Sequence, residues 1–210
     1  MSERLILIGG GEHARVVADA AATSPERFEL LGFVDLNPDA NIAGLTHLGD
    51  DAAVDDYQPA LGVIAVGTRD SSDSRQEIAG RLTGRLSGWA SVVHAASWVS
   101  PRAEVEEGAV VMAGCVVQAG ARIGRHAIIN SGSVVEHDVE IGAFAVLAPG
   151  VVVGGGAAIE EGAVVGLRAS VRDHITIGRS SMVGMGSVVI DDVEPGTTVM
   201  GNPASVGGRP

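Results

Sequence analysis

The sequence has no lysine: all 14 of its basic residues are arginines. Chemistry that needs an ε-amine, whether a Schiff base or the phosphate-binding lysine of a P-loop, is thereby excluded. A single cysteine, Cys115, leaves no intrachain disulfide to form and is compatible with a reducing cytosol. Aromatic residues are nearly missing, with three Phe, two Trp and one Tyr in 210 residues. A core of this size must then be built from small aliphatic side chains. No run of 18 apolar residues is present, and Met1-Ser2-Glu3-Arg4 leads into a strand-like segment without signal-peptide architecture. A cytoplasmic protein away from membranes is the expectation. Positive charge is also scarce: 26 acidic residues against 14 basic ones give a net charge of −12. Such a surface repels a polyphosphate backbone and an anionic bilayer, so nucleic acid and membrane are not expected partners.

What is abundant is valine and glycine, 30 of each, and the valines are unevenly placed. Six lie in residues 1–90 and 24 in residues 91–210. Stepping by six from Val93 to Val189 meets an aliphatic residue every time, seventeen hexads without an insertion. At the fifth place of these hexads 13 of 17 residues are Ala, Ser or Cys, the exceptions being Val139, Val151, Ile175 and Val193. A period of six fits neither an amphipathic helix nor an alternating strand. It fits a solenoid in which each hexad supplies one short strand and one corner, with the aliphatic residue inward and the small one packed at the turn. Three hexads make an 18-residue triangular coil. Nearly six coils at about 4.8 Å each give a prism roughly 27 Å tall. Cys115 occupies a small-residue place and reads as packing. Trp89 and Trp98 fall at the junction, where they would cover the first coil.

The first 90 residues have a different grammar. Arg4–Ile8 reads as a buried strand, followed by Gly9-Gly10-Gly11-Glu12-His13 and a helical run from Ala14 to Ala22. Further strands are expected at Leu30–Val34, ending in Asp35, and at Gly62–Val66, ending in Gly67, with a helix over Ser74–Leu86. This is the βαβ order of a small parallel, Rossmann-like α/β sheet that binds ligands at the carboxyl ends of its strands. Gly9-x-Gly11-x-x-Ala14 approximates a dinucleotide fingerprint, although a parallel sheet needs glycine at such a turn for structural reasons alone.

Of the six histidines, His137 stands out through its neighbours in the stack. Eighteen residues before and after it lie Ala119 and Gly155, which leaves space for a ligand beside the ring. A neighbouring row, Ser131, Pro149, Leu167 and Met185, forms a mostly apolar rail parallel to the axis and suited to a long, thin cofactor.

The hexads, the segment Ile129-Asn130-Ser131-Gly132-Ser133-Val134-Val135-Glu136-His137-Asp138 and the tail Gly196-Thr197-Thr198-Val199-Met200-Gly201-Asn202-Pro203-Ala204 together resemble the sialic-acid and nucleotide-amino-sugar acetyltransferases of the hexapeptide-repeat class. Gly9–Val17 and Gly32-Phe33-Val34-Asp35 resemble that family's N-terminal sugar-binding domain. The resemblance implies an α/β, Rossmann-like domain over residues 1–90 and an all-β left-handed parallel β-helix with a C-terminal tail over 91–210. It further implies a homotrimer, acetyl-CoA as co-substrate, no metal, and a sugar or nucleotide-sugar acceptor whose amine or hydroxyl is acetylated. On that resemblance His137 is the general base, Asp138 the carboxylate that raises its basicity, and Asn130 nearby polar support. An imidazole is suited to removing a proton from the attacking group at neutral pH. On a simple strand Asp138 would point away from His137, so contact between them needs a corner conformation. The cofactor positions become Gly155, Leu167, Met185 and Val146, the last replacing a histidine that many members carry. The acceptor positions become Gly11, Glu12, His13, Asp35 and Gly67. Glu12 and Leu36 depart from the family pattern, and a carboxylate at Glu12 would repel a pyrophosphate.

Two other classes compete. A zinc β-helix enzyme of the carbonic anhydrase type would recruit His126, His137 and His174, whose spacings put them on different rows. A non-catalytic trimer that senses a nucleotide would use the solenoid only to oligomerise.

Overall fold

The computed structural model describes residues 2–67 and 73–207. The N-terminal unit contains β1 (Glu3–Ile8), α1 (Glu12–Ala22), β2 (Phe28–Val34), β3 (His47–Gly49), a 3₁₀ helix (Asp51–Tyr57), β4 (Leu61–Ile64), α2 (Asp73–Leu82) and β5 (Gly88–Trp89). Its five strands are parallel in the order β3-β2-β1-β4-β5. The central strand is apolar on both faces, as a doubly covered parallel strand must be. Leu5 and Leu7 pack with α1, whereas Ile6 and Ile8 pack with Ala79 and Leu82 of α2. Strand β4 ends two residues short of the expected limit. The short strands β3 and β5 and the 3₁₀ helix carry no periodic signal, and the reading of the sequence lacks them.

The prism follows the hexads. Two-residue strands recur every six residues from β6 (Val92–Val93) to β22 (Val188–Val189). Each pairs in parallel with the strand eighteen residues away, as in Val116↔Val134↔Val152 and Ile123↔Ile141↔Ile159. Ladder bonds such as Gln118 N to Val135 O (2.9 Å) therefore join coil to coil. The inward aliphatic and fifth-place residues form one continuous apolar core, Cys115 among them. A hairpin of β23 (Thr198–Gly201) and β24 (Ala204–Val206) closes the far end by pairing with Met182–Val183. Among the described residues no helix is long and apolar enough to cross a membrane.

Coils this tight turn through left-handed backbone. Every sixth residue from Gly108 to Gly186 has φ between +52° and +78°. Eight of these corners are glycine; His126, Asp138, Phe144, Arg168, His174 and Ser180 are not. An L-residue there costs about 1–2 kcal/mol, so each marks a place where a side chain is needed. The corners stack into three edges. Gly108, His126, Phe144, Gly162 and Ser180 form the edge that meets the N-terminal unit, here the seam corner. Gly114, Gly132, Gly150, Arg168 and Gly186 form the rail corner, and Gly120, Asp138, Gly156 and His174 the histidine corner.

The three outer faces differ in chemistry. Between the histidine and seam corners the outward residues are Glu104, Arg122, Glu140, Ala158 and Thr176. Between the seam and rail corners Val92 and Val110 lie buried against α1 and β1. Between the rail and histidine corners lie Trp98, Val116, Val134, Val152, Ser170 and Val188. Trp98 is 51% exposed on this last face and Trp89 packs against the His126 ring, so the covering role expected of the tryptophans passes to α1.

Trp89 belongs to the seam. The His126 ring stacks on Phe144 one coil above (centroids 4.9 Å apart) and meets Trp89 edge-on (4.9 Å). Arg75 of α2 is fully buried there and donates to the carbonyl oxygens of His126 and Phe144 (3.3 Å for Phe144). No carboxylate pairs with it among the described residues. Its two carbonyl partners and the Phe144 face, 5.9 Å away, offset part of the cost of burying the charge. Burial and then the Arg75 charge push His126 down to about 4 from 6.5. Because the folded value is depressed, this contribution to stability is complete above pH 6.5 and is lost as pH falls toward 4. At 1.36 kcal/mol per pKa unit it amounts to at most about 3 kcal/mol. Melting temperatures measured from pH 8 to 4.5 should therefore fall less steeply in His126→Gln than in the parent, and equal slopes would remove His126 as a source.

Candidate active site

The contact that a simple strand forbids is made by a corner. Asp138 takes the left-handed conformation (φ 57°), which swings its carboxylate back to His137, with Nδ1 to Oδ2 at 3.0 Å. Its seat is Gly120, eighteen residues earlier, where any Cβ would collide with Asp138 Oδ1. Subtracting eighteen from Asp138 would have found Gly120 in the sequence. With Asp138 accepting from Nδ1, the His137 Nε2 carries the lone pair. That nitrogen lies over Gly155, so close that a Cβ there would stand 2.6 Å from it. The ring thus occupies the space foreseen beside Gly155 yet stays open to solvent. The flanking amides of Gly154 and Gly156 bond to Val171 O and His137 O (both 2.9 Å), while the Gly155 N–H has no acceptor among the described residues. A basic nitrogen and a free amide donor therefore share one corner.

Asn130 is not beside His137 in the protomer. It sits at the rail corner, its Nδ2 donating to Leu147 O (2.8 Å), because only residues separated by multiples of eighteen share an edge of the coil, and Asn130 precedes His137 by about one corner. Leu167 and Met185 also lie on the rail corner and are 47% and 71% exposed, unusual for large apolar residues. Val146 is a correction: at 4% exposure, on the face between the seam and rail corners, its side chain is sealed away from His137. The histidines of the zinc alternative do not converge. His126 is enclosed in the seam, and His174 stands over Gly156, two coils along from Asp138.

In the N-terminal unit the acceptor positions surround the carboxyl ends of β1, β2 and β4. Gly11 precedes α1 in extended conformation, and Glu12 is exposed in the helix's first turn. Asp35 accepts from the backbone N–H of Gly10 (2.6 Å) and of Asn37 (2.8 Å), so each oxygen already holds the turn around it. Gly67 is exposed and lies against His13; a Cβ there would sit 3.4 Å from the His13 Cβ. The His13 Nε2 is buried without a partner, and burial, then the charge of Arg75, lowers its pKa to about 4. It is a neutral ring whose Nε2 is turned inward, away from an acceptor approaching over the strand ends. A crevice of about 170 Å³ lies between Gly9, Asp35, Leu36, Val66 and the paired Asp51 and Arg81 (2.6 Å). Asp51, Arg81 and Arg75 carry no motif in the sequence and emerge only from the fold. A larger open groove of about 660 Å³ between α1 and residues 41–45 contains none of the expected residues.

The geometry agrees with known proteins. A family model described as the PglD N-terminal domain matches residues 4–82, and one for the bacterial transferase hexapeptide (six repeats) matches residues 102–137. No curated protein sequence matches the chain. Among solved structures, a variant of perosamine N-acetyltransferase from Caulobacter crescentus, in complex with CoA and GDP-perosamine, is 33% identical with a TM-score of 0.90, covering 98% of this chain and 97% of its own. The acetyltransferase domain of PglB from Neisseria gonorrhoeae, in complex with acetyl coenzyme A, is 30% identical with a TM-score of 0.91, covering 98% and 100%. WeeI from Acinetobacter baumannii, 23% identical with a TM-score of 0.83 over 98% and 100%, shares the fold. The chain belongs to the hexapeptide-repeat sugar acetyltransferases with a PglD-type N-terminal domain, and it is an acetyl-CoA-dependent acetyltransferase.

Proposed function

We propose that the protein N-acetylates a nucleotide-linked amino sugar, with His137 as general base and residues 1–90 as the acceptor-binding domain. The observation that carries this reading is the His137–Asp138 pair with its free nitrogen over the Gly155 amide. Asp138 fixes the tautomer, so that Nε2 takes the proton from the sugar amine as it attacks the thioester. The imidazolium that results is stabilised by the same carboxylate and, as the C–S bond breaks, gives its proton to the departing CoA thiolate. The Gly155 N–H faces the position where negative charge develops on the thioester oxygen, which is the most productive place for a fixed donor. Asp35 shapes the acceptor crevice by holding the Gly10 and Asn37 amides through its carboxylate, Gly11 and Gly67 lie beside it at the strand ends, and Glu12 disfavours a pyrophosphate lying directly on the α1 N-terminus. A differently placed nucleotide, entering beside the exposed Leu36, fits this arrangement. The GDP-perosamine held by the Caulobacter relative supports an acceptor of this class.

The active unit in this reading is a homotrimer. The face bearing Trp98, Val116, Val134, Val152 and Val188 is flat and apolar, and Trp98 and Val152 are 51% and 41% exposed in the single chain. Such a strip invites burial against a second copy. It joins the histidine corner to the rail corner, so packing around a threefold axis brings His137 of one copy toward Leu167, Met185 and Asn130 of the next.

With acetyl-CoA and a nucleoside-diphosphate amino sugar, His137→Ala should reduce kcat by about 10²–10⁴-fold, and Asp138→Asn should give a smaller loss. Unchanged turnover in His137→Ala would reject the base assignment. Gly155→Ala should keep the parent fold, judged by circular dichroism, while lowering kcat, since the new methyl displaces the ring. Sedimentation should show a trimer that Val152→Asp dissociates; a parent monomer with full activity would refute the shared site.

A further inference from the structure

Arginines of the prism follow a rule of eighteen. Arg122, Arg125 and Arg179 each reach the glutamate one coil earlier, at 3.4 Å (Glu104), 2.7 Å (Glu107) and 2.9 Å (Glu161). Arg102 belongs to the first coil and has no prism residue beneath it. Arg168 and Arg172 break the rule. Eighteen residues earlier stand Gly150 and Gly154, eighteen later Gly186 and Ile190, and neither arginine has an ion-pair partner among the described residues. Both are exposed. Arg168 even holds a left-handed corner (φ 54°) where glycine would be unstrained, with its Cγ above Gly150. On a chain of net charge −12, two exposed cations kept clear of ion pairs are left free to take a counter-charge from outside the chain. Asp173 is the nearby exception in sequence, and its carboxylate lies 4.0 Å from His174 Nε2.

Their placement names that counter-charge. The two arginines flank one strand, Ser170–Val171 (β19), with Arg168 on the rail corner beside Leu167 and Arg172 on the histidine corner. Both stand two coils beyond the level of His137, about 10 Å along the axis. Threefold symmetry keeps a given residue at one height in every copy. In the trimer proposed above, each groove then brings Arg172 of one copy and Arg168 of the next to a single level, two coils from His137 and along the apolar rail. We propose that Arg168 and Arg172 together bind the phosphate groups of acetyl-CoA, anchoring the nucleotide end of the donor while its thioester reaches His137. This rests on the donor and trimer reading above. Guanidinium groups suit the task, because their paired N–H groups match phosphate oxygens.

The test compares acetyl-CoA, acetyl-dephospho-CoA and S-acetylpantetheine as donors for the parent, Arg168→Gln and Arg172→Gln. Each variant should raise KM for acetyl-CoA about tenfold with kcat nearly unchanged, and should leave S-acetylpantetheine kinetics as in the parent. Arg168→Lys should recover part of the loss. A KM effect that persists with acetyl-dephospho-CoA assigns the pyrophosphate, and one that vanishes assigns the 3′-phosphate; either supports the seat. Equal changes for all three donors, or dissociation of the trimer with KM unaltered, would overturn it and assign the arginines to subunit contacts. Calorimetry with CoA alone separates this proposal from the catalytic one: weakened binding in the variants supports the seat even if His137 proves dispensable, and unaltered binding rejects it even if His137 is essential.

Discussion

Everything in the prism depends on one register, the hydrogen bonding of each two-residue strand to strands eighteen residues before and after it. No coil satisfies its own backbone. Each is an edge until the next is laid on it, so the first and last coils need covers, which α1 and the terminal hairpin provide. The register also fixes what stands over what. It places Gly120 under Asp138, Gly155 over His137 and Phe144 over His126, and in each case the smaller or flatter partner makes room for the larger.

The left-handed corner is the conformational form of that constraint. Glycine fills it at no steric cost, and five of the six positions without glycine, all but Ser180, divide by purpose. His126 and Phe144 build the seam with the N-terminal unit, and Asp138 orients the His137 ring. Arg168 and His174 project from corners next to the groove. The strain is offset locally, by stacking at the seam and by the imidazole–carboxylate bond at His137.

The prism was legible because a period of six survives seventeen repetitions, and residue arithmetic then gave the neighbours of His137 without coordinates. The same arithmetic misleads when rows are treated as adjacent in space. Asn130, Leu167 and Met185 share a corner of their own, away from His137 in the single chain, and it is the proposed trimer that would join the two. Val146 looked like a cofactor contact because its family position was known, while its burial is a tertiary property that no residue spacing reports. The seam was invisible for a related reason. Arg75 lies in a polar helix with no motif around it, and its partners are two carbonyl oxygens, which sequence does not distinguish. His13 was visible as a residue but not as an inward-facing one.

The coil also defines the grammar in which this chain can change length. Removing or adding eighteen residues outside the catalytic coils leaves every remaining corner on its own edge, and the prism merely becomes shorter or taller. Removing six between His137 and Gly155 rotates all later residues by one third of a turn, so His137 would lose Gly155 and meet a rail or seam position instead. The molecule counts in eighteens, and a length change in any other unit amounts to a rearrangement of its site.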